Sequence, residues 1–165
     1  MKIDLTNIPP GGKKVDFKFE PEWWPPDSGE DRILGFERPV SGWISIQSAG
    51  KKIAVKGFLS TRLVLQCDRC LDPYGVDFNT DFSFYLSTAH VAGISEIELS
   101  EEDLDLDFIQ GNYLDVDQTV REQVIVNLPM KSLCAEGCKG ICPICGRNLN
   151  KERCSCPSGR ELSLD

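Results

Sequence analysis

The sequence is poor in the features on which common enzymes and membrane proteins depend. Its 165 residues include one histidine, His90, which lies away from every cysteine, so a metal site at the cysteines would use thiolates alone. We expect His90 itself to be a surface loop residue. The chain has no His-x-Glu deaminase signature, no Gly-rich phosphate loop and no serine nucleophile elbow. It also has no run of about 20 apolar residues that would span a membrane.

Positive charge is scarce and unevenly distributed. The chain has 18 Lys and Arg against 26 Asp and Glu, a formal net charge of -8. This balance argues against a protein that coats nucleic acid by bulk electrostatics. Nine acidic and no basic residues lie between Val91 and Asp117, whereas six basic and four acidic residues follow Pro129. The basic segment is the one that carries most of the cysteines.

The eight cysteines have two interpretations, four disulfides or metal-bound thiolates. The amino terminus has no uninterrupted apolar stretch of the kind that a secretion signal needs, so we expect a cytoplasmic protein. A reducing cytosol disfavours structural disulfides. We therefore predict that the cysteines bind metal, with zinc as the ion.

Six of the cysteines lie in the segment 133–156, where the strongest motif is Cys142-Pro-Ile-Cys145-Gly. A two-residue gap lets both sulfurs face one ion, and the glycine lets backbone N–H groups approach the thiolates, so this motif predicts a zinc knuckle. The upstream pair, Cys67 and Cys70, has the same spacing. A dithiol redox motif normally opens a helix, but here a strand leads in and Pro73 follows, so metal binding is again favoured.

Eight thiolates suit two closed sites, because structural zinc is tetrahedral with four ligands and keeps no open position for a catalytic water. The simplest partition places Cys142, Cys145, Cys154 and Cys156 around one ion and Cys67, Cys70, Cys134 and Cys138 around the other. The second site would fasten the C-terminal segment to the end of a hairpin. An exchange of the two sequence pairs between the sites, and a single site with four free thiols, remain alternatives.

The body of the chain has the period of two that is typical of half-buried strands. With Thr80 as an interruption, apolar residues favour odd positions from 53 to 67 and even positions from 76 to 86. We predict two long antiparallel strands joined through a turn at 72–75, with Gly57 marking a bulge or bend.

Shorter elements flank this hairpin. Strands are predicted at Ile3/Leu5 and at 15–19, and a hairpin from Trp43 through a turn at 48–51. The Pro-rich segment 21–29 cannot be a regular element, and we expect its two tryptophans to cover the core rather than form an exposed binding patch. The acidic segment 96–107 is predicted to be a solvated loop with at most a short strand.

From Asp115 the period changes to four. Val116, Val120, Val124 and Leu128 predict one amphipathic helix over 116–128, with a capping box at its start. The fold class is then α+β: a mainly antiparallel sheet, one packed helix and a C-terminal cysteine-rich zinc-binding module. We expect a body at 1–130, a module at 131–158 stapled to the 67–70 hairpin end, and a tail at 159–165.

Basic residues are interleaved with the cysteines of this module. Lys139, Arg147, Lys151 and Arg153 could form an RNA-facing patch. Alternatively they offset the charge of about -2 that each four-thiolate zinc site carries. Arg69, between the upstream cysteines, has the same two interpretations.

Taken together, these motifs resemble those of the YceD family. The resemblance rests on Cys67-Asp-Arg-Cys70-Leu71, on the acidic segment and the helix that ends Val126-Asn-Leu-Pro-Met-Lys131, and on the cysteine pattern from Cys134 to Cys156. It implies a bacterial or plastid-type protein needed for the accumulation of large-subunit ribosomal RNA, often encoded beside a zinc-ribbon protein of that subunit. It implies no chemical reaction.

We therefore predict a non-enzymatic, zinc-binding factor for ribosome biogenesis, with up to two Zn2+ ions held by the eight cysteines. Its expected partner is large-subunit ribosomal RNA or its precursor particle, with no membrane and no small-molecule substrate. Two alternatives stay open. One is a thiol- or zinc-dependent redox or hydrolytic enzyme; the other is an adaptor whose acidic body binds a basic ribosomal protein.

Overall fold

The computed structural model describes residues 1–24, 31–50, 52–87, 106–108 and 112–156, which form a mainly antiparallel β structure with one α-helix, as predicted. The elements are β1 (Lys2–Asp4), β2 (Lys13–Phe19), a 3-10 helix (Pro21–Trp23), β3 (Ile33–Phe36), β4 (Val40–Ala49), β5 (Lys52–Gln66), β6 (Pro73–Ser87), β7 (Leu106–Phe108), β8 (Tyr113–Asp115) and α1 (Val116–Val126). Neither helix in the described residues has the length and apolarity needed to cross a membrane.

The main sheet is built around the hairpin of β5 and β6. Their register is continuous from Lys52 opposite Ser87 to Gln66 opposite Pro73. Every odd-numbered β5 residue is buried and no even-numbered one is, as the period of two predicted. The predicted turn at 72–75 is wrong, because residues 73–75 already pair with β5. The connecting loop is instead 67–72, so the upstream cysteine pair itself makes the turn.

Gly57 does not mark a bulge. It lies opposite Ile44 of β4 and Phe82 of β6 in an unbroken register. A Cβ atom at this position would lie 2.2 Å from the Phe82 ring, so glycine allows that ring to approach the backbone. The prediction was wrong because the missing side chain makes room for packing instead of bending the strand.

The strands of the main sheet follow the order β2-β4-β5-β6-β7, and β3 pairs with the C-terminal part of β5. All pairings are antiparallel except that of β6 with β7. The predicted hairpin between β4 and β5 is confirmed, with Gly50 at φ 68° in the turn. β1 and β2 correspond to the predicted N-terminal strands, and β7 is a short strand within the acidic region.

A second layer covers one face of this sheet. β1 and β8 form a two-stranded sheet in which Ile3 pairs with Leu114, and α1 begins at the residue after β8. The helix buries Val116, Val120 and Val124. These side chains share one hydrophobic core with the odd-numbered residues of β5. The helix therefore packs on the sheet, as the four-residue repeat predicted.

The two ends of α1 differ from the prediction. Asp115 is the N-cap, and its carboxylate accepts a hydrogen bond from the backbone N–H of Asp117 at 3.1 Å. The predicted capping box is absent here, because the Gln118 amide donates to Glu122, one turn later, and not back to the N-cap residue. The helix ends at Val126 instead of residue 128. Pro129 accounts for the early end, because the residue before a proline disfavours the helical conformation.

The tryptophan pair covers the edge of the core. Trp23 stacks on Phe19 with ring centroids 4.5 Å apart, and Trp24 lies 5.4 Å from Phe36. The Trp23 indole N–H donates to the Asp117 carboxylate, which ties this segment to the first turn of α1. The predicted covering role is confirmed. The expectation of no regular element is wrong for residues 21–23, since proline is tolerated at the first position of a helical turn.

Several predicted features lie outside the described residues. These are His90, the acidic segment apart from 106–108, and the tail at 159–165. The division into a body at 1–130 and a module at 131–158 stays a prediction.

Replacing Gly57 by alanine should destabilise the sheet, because the added Cβ must displace the Phe82 ring. We expect the free energy of unfolding, measured by urea titration, to fall by about 1–3 kcal/mol. Gly11→Ala is the matched control, since no atom lies within 4 Å of a Cβ at that position. Equal unfolding midpoints for the two variants would contradict the packing role of Gly57.

Candidate metal centres

The cysteines lie in two groups of four, which we call site A and site B. Site A contains Cys67, Cys70, Cys134 and Cys138, and site B contains Cys142, Cys145, Cys154 and Cys156. Within each group all four sulfur atoms lie within 4.8 Å of one another, so each group could hold one metal ion. The structure brings the cysteines together in the partition preferred from the sequence, and not with exchanged pairs or as a single site. That either site binds metal stays a prediction.

The sulfur positions in site A fit a tetrahedral ion. The Cys67 and Cys138 sulfurs are 3.8 Å apart, and those of Cys70 and Cys134 are 3.6 Å apart. A tetrahedron with zinc–sulfur bonds of about 2.3 Å has edges of about 3.8 Å. These two separations match edges of such a tetrahedron, and they exceed a covalent S–S bond of about 2.05 Å.

Site A is mostly buried and is surrounded by groups that stabilise thiolates. Cys67, Cys70 and Cys138 are buried, with Tyr74 and Leu133 packed against them. The Cys134 backbone N–H donates to the Cys67 sulfur at 3.5 Å, and the Asn150 amide donates to the Cys138 sulfur at 3.3 Å. Hydrogen bonds to ligand sulfurs fix their orientation and favour the charged form.

These surroundings separate the pKa values of the thiols in site A. Burial raises the pKa of Cys67, but backbone N–H groups, that of Cys134 foremost, outweigh it and lower the value to about 6. The hydrogen bond with Cys70, together with burial, raises the pKa of Cys134 to about 12. The surroundings thus favour the thiolate form at Cys67 and the thiol form at Cys134.

Site B repeats this electrostatic pattern at a more exposed position. The backbone N–H groups of Cys145 and Ile144 lower the pKa of Cys142 to about 6. The hydrogen bond with Cys145, together with burial, raises the pKa of Cys156 to about 12. Of its four cysteines only Cys142 is buried, whereas three are buried in site A. Site B is thus built like site A but more accessible to solvent.

The two knuckle loops, 67–72 and 142–147, share one backbone conformation. In each loop the N–H of the first cysteine donates to the carbonyl of the sixth residue, at 3.0 and 2.8 Å, and the N–H of the fifth residue donates back to that cysteine at 2.9 Å. The fifth residue is Leu71 at φ 61° in one loop and Gly146 at φ 71° in the other. The sequence concealed this equivalence, because leucine seldom adopts a left-handed conformation.

Backbone hydrogen bonds fasten the C-terminal segment to the first knuckle. The Asp68 N–H donates to the Ser132 carbonyl at 2.8 Å, and the Ser132 N–H donates to the Asp68 carboxylate at 2.7 Å. The Ile141 N–H donates to the Arg69 carbonyl at 3.0 Å. Ser132 is only 1% exposed, so its bonds are shielded from water. The segment is thus held at the hairpin end by more than the thiols.

The loop between Cys145 and Cys154 reaches from site B to site A. The Asn148 amide donates to the Asp72 carboxylate at 2.7 Å, and the Lys151 ammonium lies 2.8 Å from the same carboxylate. Asn150 also accepts a hydrogen bond from the Lys139 N–H, in addition to bonding the Cys138 sulfur. Sequence reasoning did not identify Asn148 or Asn150, and no spacing in the chain identifies Asp72 as their partner.

The basic residues of this segment differ in their surroundings. Lys151 is paired with Asp72, and Arg69 donates to the Cys138 carbonyl at 3.0 Å, so both have structural roles. Arg147 lies 4.0 Å from the Glu152 carboxylate, and both side chains are largely exposed. Among the described residues, Lys139 and Arg153 make no ion pair. The charges of these last two side chains are therefore available to an anionic partner.

Replacing Leu71 by glycine should stabilise the protein. A leucine in the left-handed region carries a strain of about 1–2 kcal/mol, which exceeds the entropy that a glycine adds to the unfolded chain. We expect a gain of about 0.5–1 kcal/mol in urea unfolding. Leu34→Gly is the control, since Leu34 is also 51% exposed but lacks a positive φ, and it should lose stability. A loss in both variants would show that Leu71 is unstrained.

Comparison with known proteins supports the family resemblance. Residues 55–162 match the family described as large ribosomal RNA subunit accumulation protein YceD. A chloroplastic YCED homolog 1 of Arabidopsis thaliana, also named a large ribosomal RNA subunit accumulation protein, is 27% identical over 145 residues, covering 74% of this chain and 44% of that protein. The corresponding Zea mays homolog is 22% identical over 142 residues, covering 72% and 48%.

A bacterial relative is equally similar. An uncharacterized protein of Mycobacterium tuberculosis is 27% identical over 122 residues, covering 74% of this chain and 55% of that protein. The chain thus spans about half the length of the curated relatives that it matches. No solved structure gives a significant match. Since the family match extends over more than half of the sequence, from near the start of β5 to beyond the last cysteine, the chain belongs to the YceD family.

Proposed function

We propose that this chain is a non-enzymatic, zinc-binding factor for ribosome biogenesis that supports the accumulation of large-subunit ribosomal RNA. The family described above supplies the process. The observation that carries the proposal for this chain is the pair of four-cysteine clusters, which lie where the C-terminal segment meets the β5–β6 hairpin. On this proposal zinc fixes that segment as a rigid surface for a ribosomal partner.

Zinc suits both clusters on chemical grounds. Thiolates are soft ligands, and four of them around one position select zinc or an iron–sulfur centre over magnesium or calcium. Hydrogen bonds such as those to the Cys67 and Cys138 sulfurs would offset the negative charge of a four-thiolate site. Bound zinc would supply a structural crosslink here. The chain's own residues supply orientation, through the knuckle N–H groups and Asn150.

The same geometry disfavours the enzyme alternatives. A catalytic zinc site keeps a position for water, whereas each cluster here offers four thiolates to one ion. Dithiol redox motifs normally open a helix, whereas Cys67 and Cys142 both begin turn loops. We therefore prefer a binding role over a redox or hydrolytic one.

The proposed partner is large-subunit ribosomal RNA or its precursor particle. Lys139 and Arg153 lie on the cysteine segment without ion pairs among the described residues, so their charges are free to meet phosphates. The adaptor alternative, in which acidic residues at 96–105 bind a basic ribosomal protein, depends on residues outside the described ones. Cytoplasmic location also remains an expectation, and the Arabidopsis thaliana relative is chloroplastic by name.

The purified protein should contain about two zinc ions per chain by elemental analysis, all released by a chelator together with the loss of thiol protection. Cys145→Ser should lower the zinc content by at least one ion, whereas Ser155→Ala, a change next to two ligands, should not alter it. Protein without zinc, with eight thiols that titrate freely in the native state, would refute the proposal of zinc sites.

Loss of site A should loosen the C-terminal segment without unfolding the sheet, because the core of β5, β6 and α1 is continuous without the cysteines. Cys70→Ser should therefore give faster limited proteolysis after residue 131 and an intact cooperative unfolding transition. Loss of all cooperative unfolding in Cys70→Ser would show that site A is part of the folding core instead of a crosslink upon it.

Neutralising Lys139 and Arg153 together should weaken RNA binding. For Lys139→Gln/Arg153→Gln we expect weaker retention on large-subunit precursor particles and less mature large-subunit RNA in cells. The slope of log K against log salt concentration should also become smaller by about 0.7–0.9 for each lost phosphate contact. The control variant Lys2→Gln/Lys13→Gln removes the same charge from exposed positions on β1 and β2, outside the cysteine segment, and should have little effect. Zinc content should stay unchanged in both variants.

The assembly role itself has a direct test in the same assays. If deletion of the gene changes neither particle association nor the level of large-subunit RNA, the proposed function is wrong and the enzyme alternatives must be reconsidered.

A further inference from the structure

The face of the main sheet that points away from the core carries an aromatic pair. Trp43 of β4 and Phe58 of β5 are directly opposite each other in the register. Opposed residues on neighbouring antiparallel strands, about 4.8 Å apart, lie on the same face. Both side chains are half-buried, and neither belongs to the hydrophobic core formed by the described residues. Two aromatic side chains therefore lie together on the outer face of the sheet.

Lysines flank this pair on one side. Lys14, Ser45 and Lys56 form the next outward-facing row across β2, β4 and β5. The Lys14 ammonium lies 4.4 Å from the centre of the Trp43 ring, a cation–π contact that leaves the lysine exposed. Lys56 is also exposed. An anionic group beside the aromatic pair would meet both ammonium groups.

A small cavity lies on the other side of the pair. Ser41 and Ser60 are opposite each other, two residues along the strands from Trp43 and Phe58 and on the same face. They line a cavity of about 210 Å³ whose walls also include Lys18, Arg38, Pro39 and Thr61. The cavity is therefore lined by two cationic side chains and three hydroxyl side chains. The Ser60 hydroxyl donates to Asn79 and the Thr61 hydroxyl donates to the Arg38 carbonyl.

Acidic residues moderate the charge of this face. Asp16 of β2 lies opposite Trp43, and Asp81 of β6 lies opposite Phe58, so a carboxylate stands at each end of the aromatic row. The cations near the cavity are also paired. Lys18 pairs with Glu20 at 2.8 Å, and Arg38 pairs with Asp77. The members of both pairs are more than half exposed, so these ion pairs are weak and can exchange for another anion. The two carboxylates beside the rings can accept hydrogen bonds from the amino groups of nucleobases.

We infer that this face, defined by Trp43 and Phe58 with Lys14, Lys18, Arg38 and Lys56, binds unpaired nucleotides of single-stranded RNA. Bases stack on aromatic side chains that lie on an open sheet, while lysine and arginine hold the phosphates on either side. An acidic or neutral peptide would use the lysines but gain little from two adjacent flat rings.

This inference rests on the proposed function for its biological RNA, but it assigns a second contact surface in addition to the cysteine segment. The two surfaces use different chemistry. The sheet face would stack bases, and the cysteine segment would contact phosphates alone. A structured precursor RNA with an unpaired loop could then meet both.

The test is fluorescence anisotropy with a labelled 12-nucleotide single-stranded RNA of mixed sequence. Trp43→Ala and Phe58→Ala should each weaken binding about tenfold, the effect of losing one base stack. Phe58→Tyr keeps an aromatic ring at this position and should bind the RNA with an affinity close to that of the wild-type protein. Tyr113→Ala removes an exposed aromatic from β8 and should leave the affinity unchanged. Lys14→Gln/Lys56→Gln should reduce the salt slope by about 0.7 for each lost contact on a single strand.

Each outcome has a defined meaning once circular dichroism and unfolding midpoints show that the variants fold. Unchanged affinity in both aromatic variants, or no binding of this RNA by the wild-type protein, overturns the inference. Concentration-dependent dimerisation that Trp43→Ala abolishes, without an effect on RNA, overturns it in favour of a second copy. If these results occur while the wild-type protein still associates with precursor particles, the proposed function survives. If particle association fails as well, the proposed function fails separately.

Discussion

The register of the β5–β6 hairpin is the constraint on which the C-terminal half of the described structure depends. Because 15 residues of β5 pair with 15 of β6 without a shift, the loop between them is fixed at 67–72. A slip by one residue would turn every buried β5 side chain outward and move Cys67 away from the other thiols. The hydrophobic alternation of the strands therefore determines where four cysteines meet.

The two candidate metal centres are linked through the chain between them. The segment that closes site B also supplies the Asn150 amide to a sulfur of site A, and Asn148 and Lys151 both bind Asp72 of the first knuckle. Zinc bound in site B would thus hold Asn148, Asn150 and Lys151 in the positions from which they contact site A and the first knuckle. The C-terminal segment and the sheet would then form one rigid unit, with basic side chains at the cysteine end and an aromatic pair on the outer sheet face.

Sequence reasoning located the elements whose pattern is set by burial. The odd-numbered residues of β5, the valines of α1 and the grouping of cysteines by fours all follow from repeated spacing and ligand number. It did not locate features that depend on a distant partner. Gly57 was misread because its reason is the Phe82 ring on the next strand. The hairpin turn was misplaced because Leu71 takes the conformation that glycine takes in the second knuckle. Asn150 and the outer pair of Trp43 with Phe58 become visible only once the strands are in register.

The most direct test of the central claim is X-ray absorption at the zinc edge of the purified protein. The account predicts that each zinc is surrounded by four sulfur atoms at about 2.3 Å, with no nitrogen or oxygen ligand. A first shell that includes nitrogen or oxygen, or only two sulfurs for each ion, would contradict the assignment of two closed four-cysteine sites.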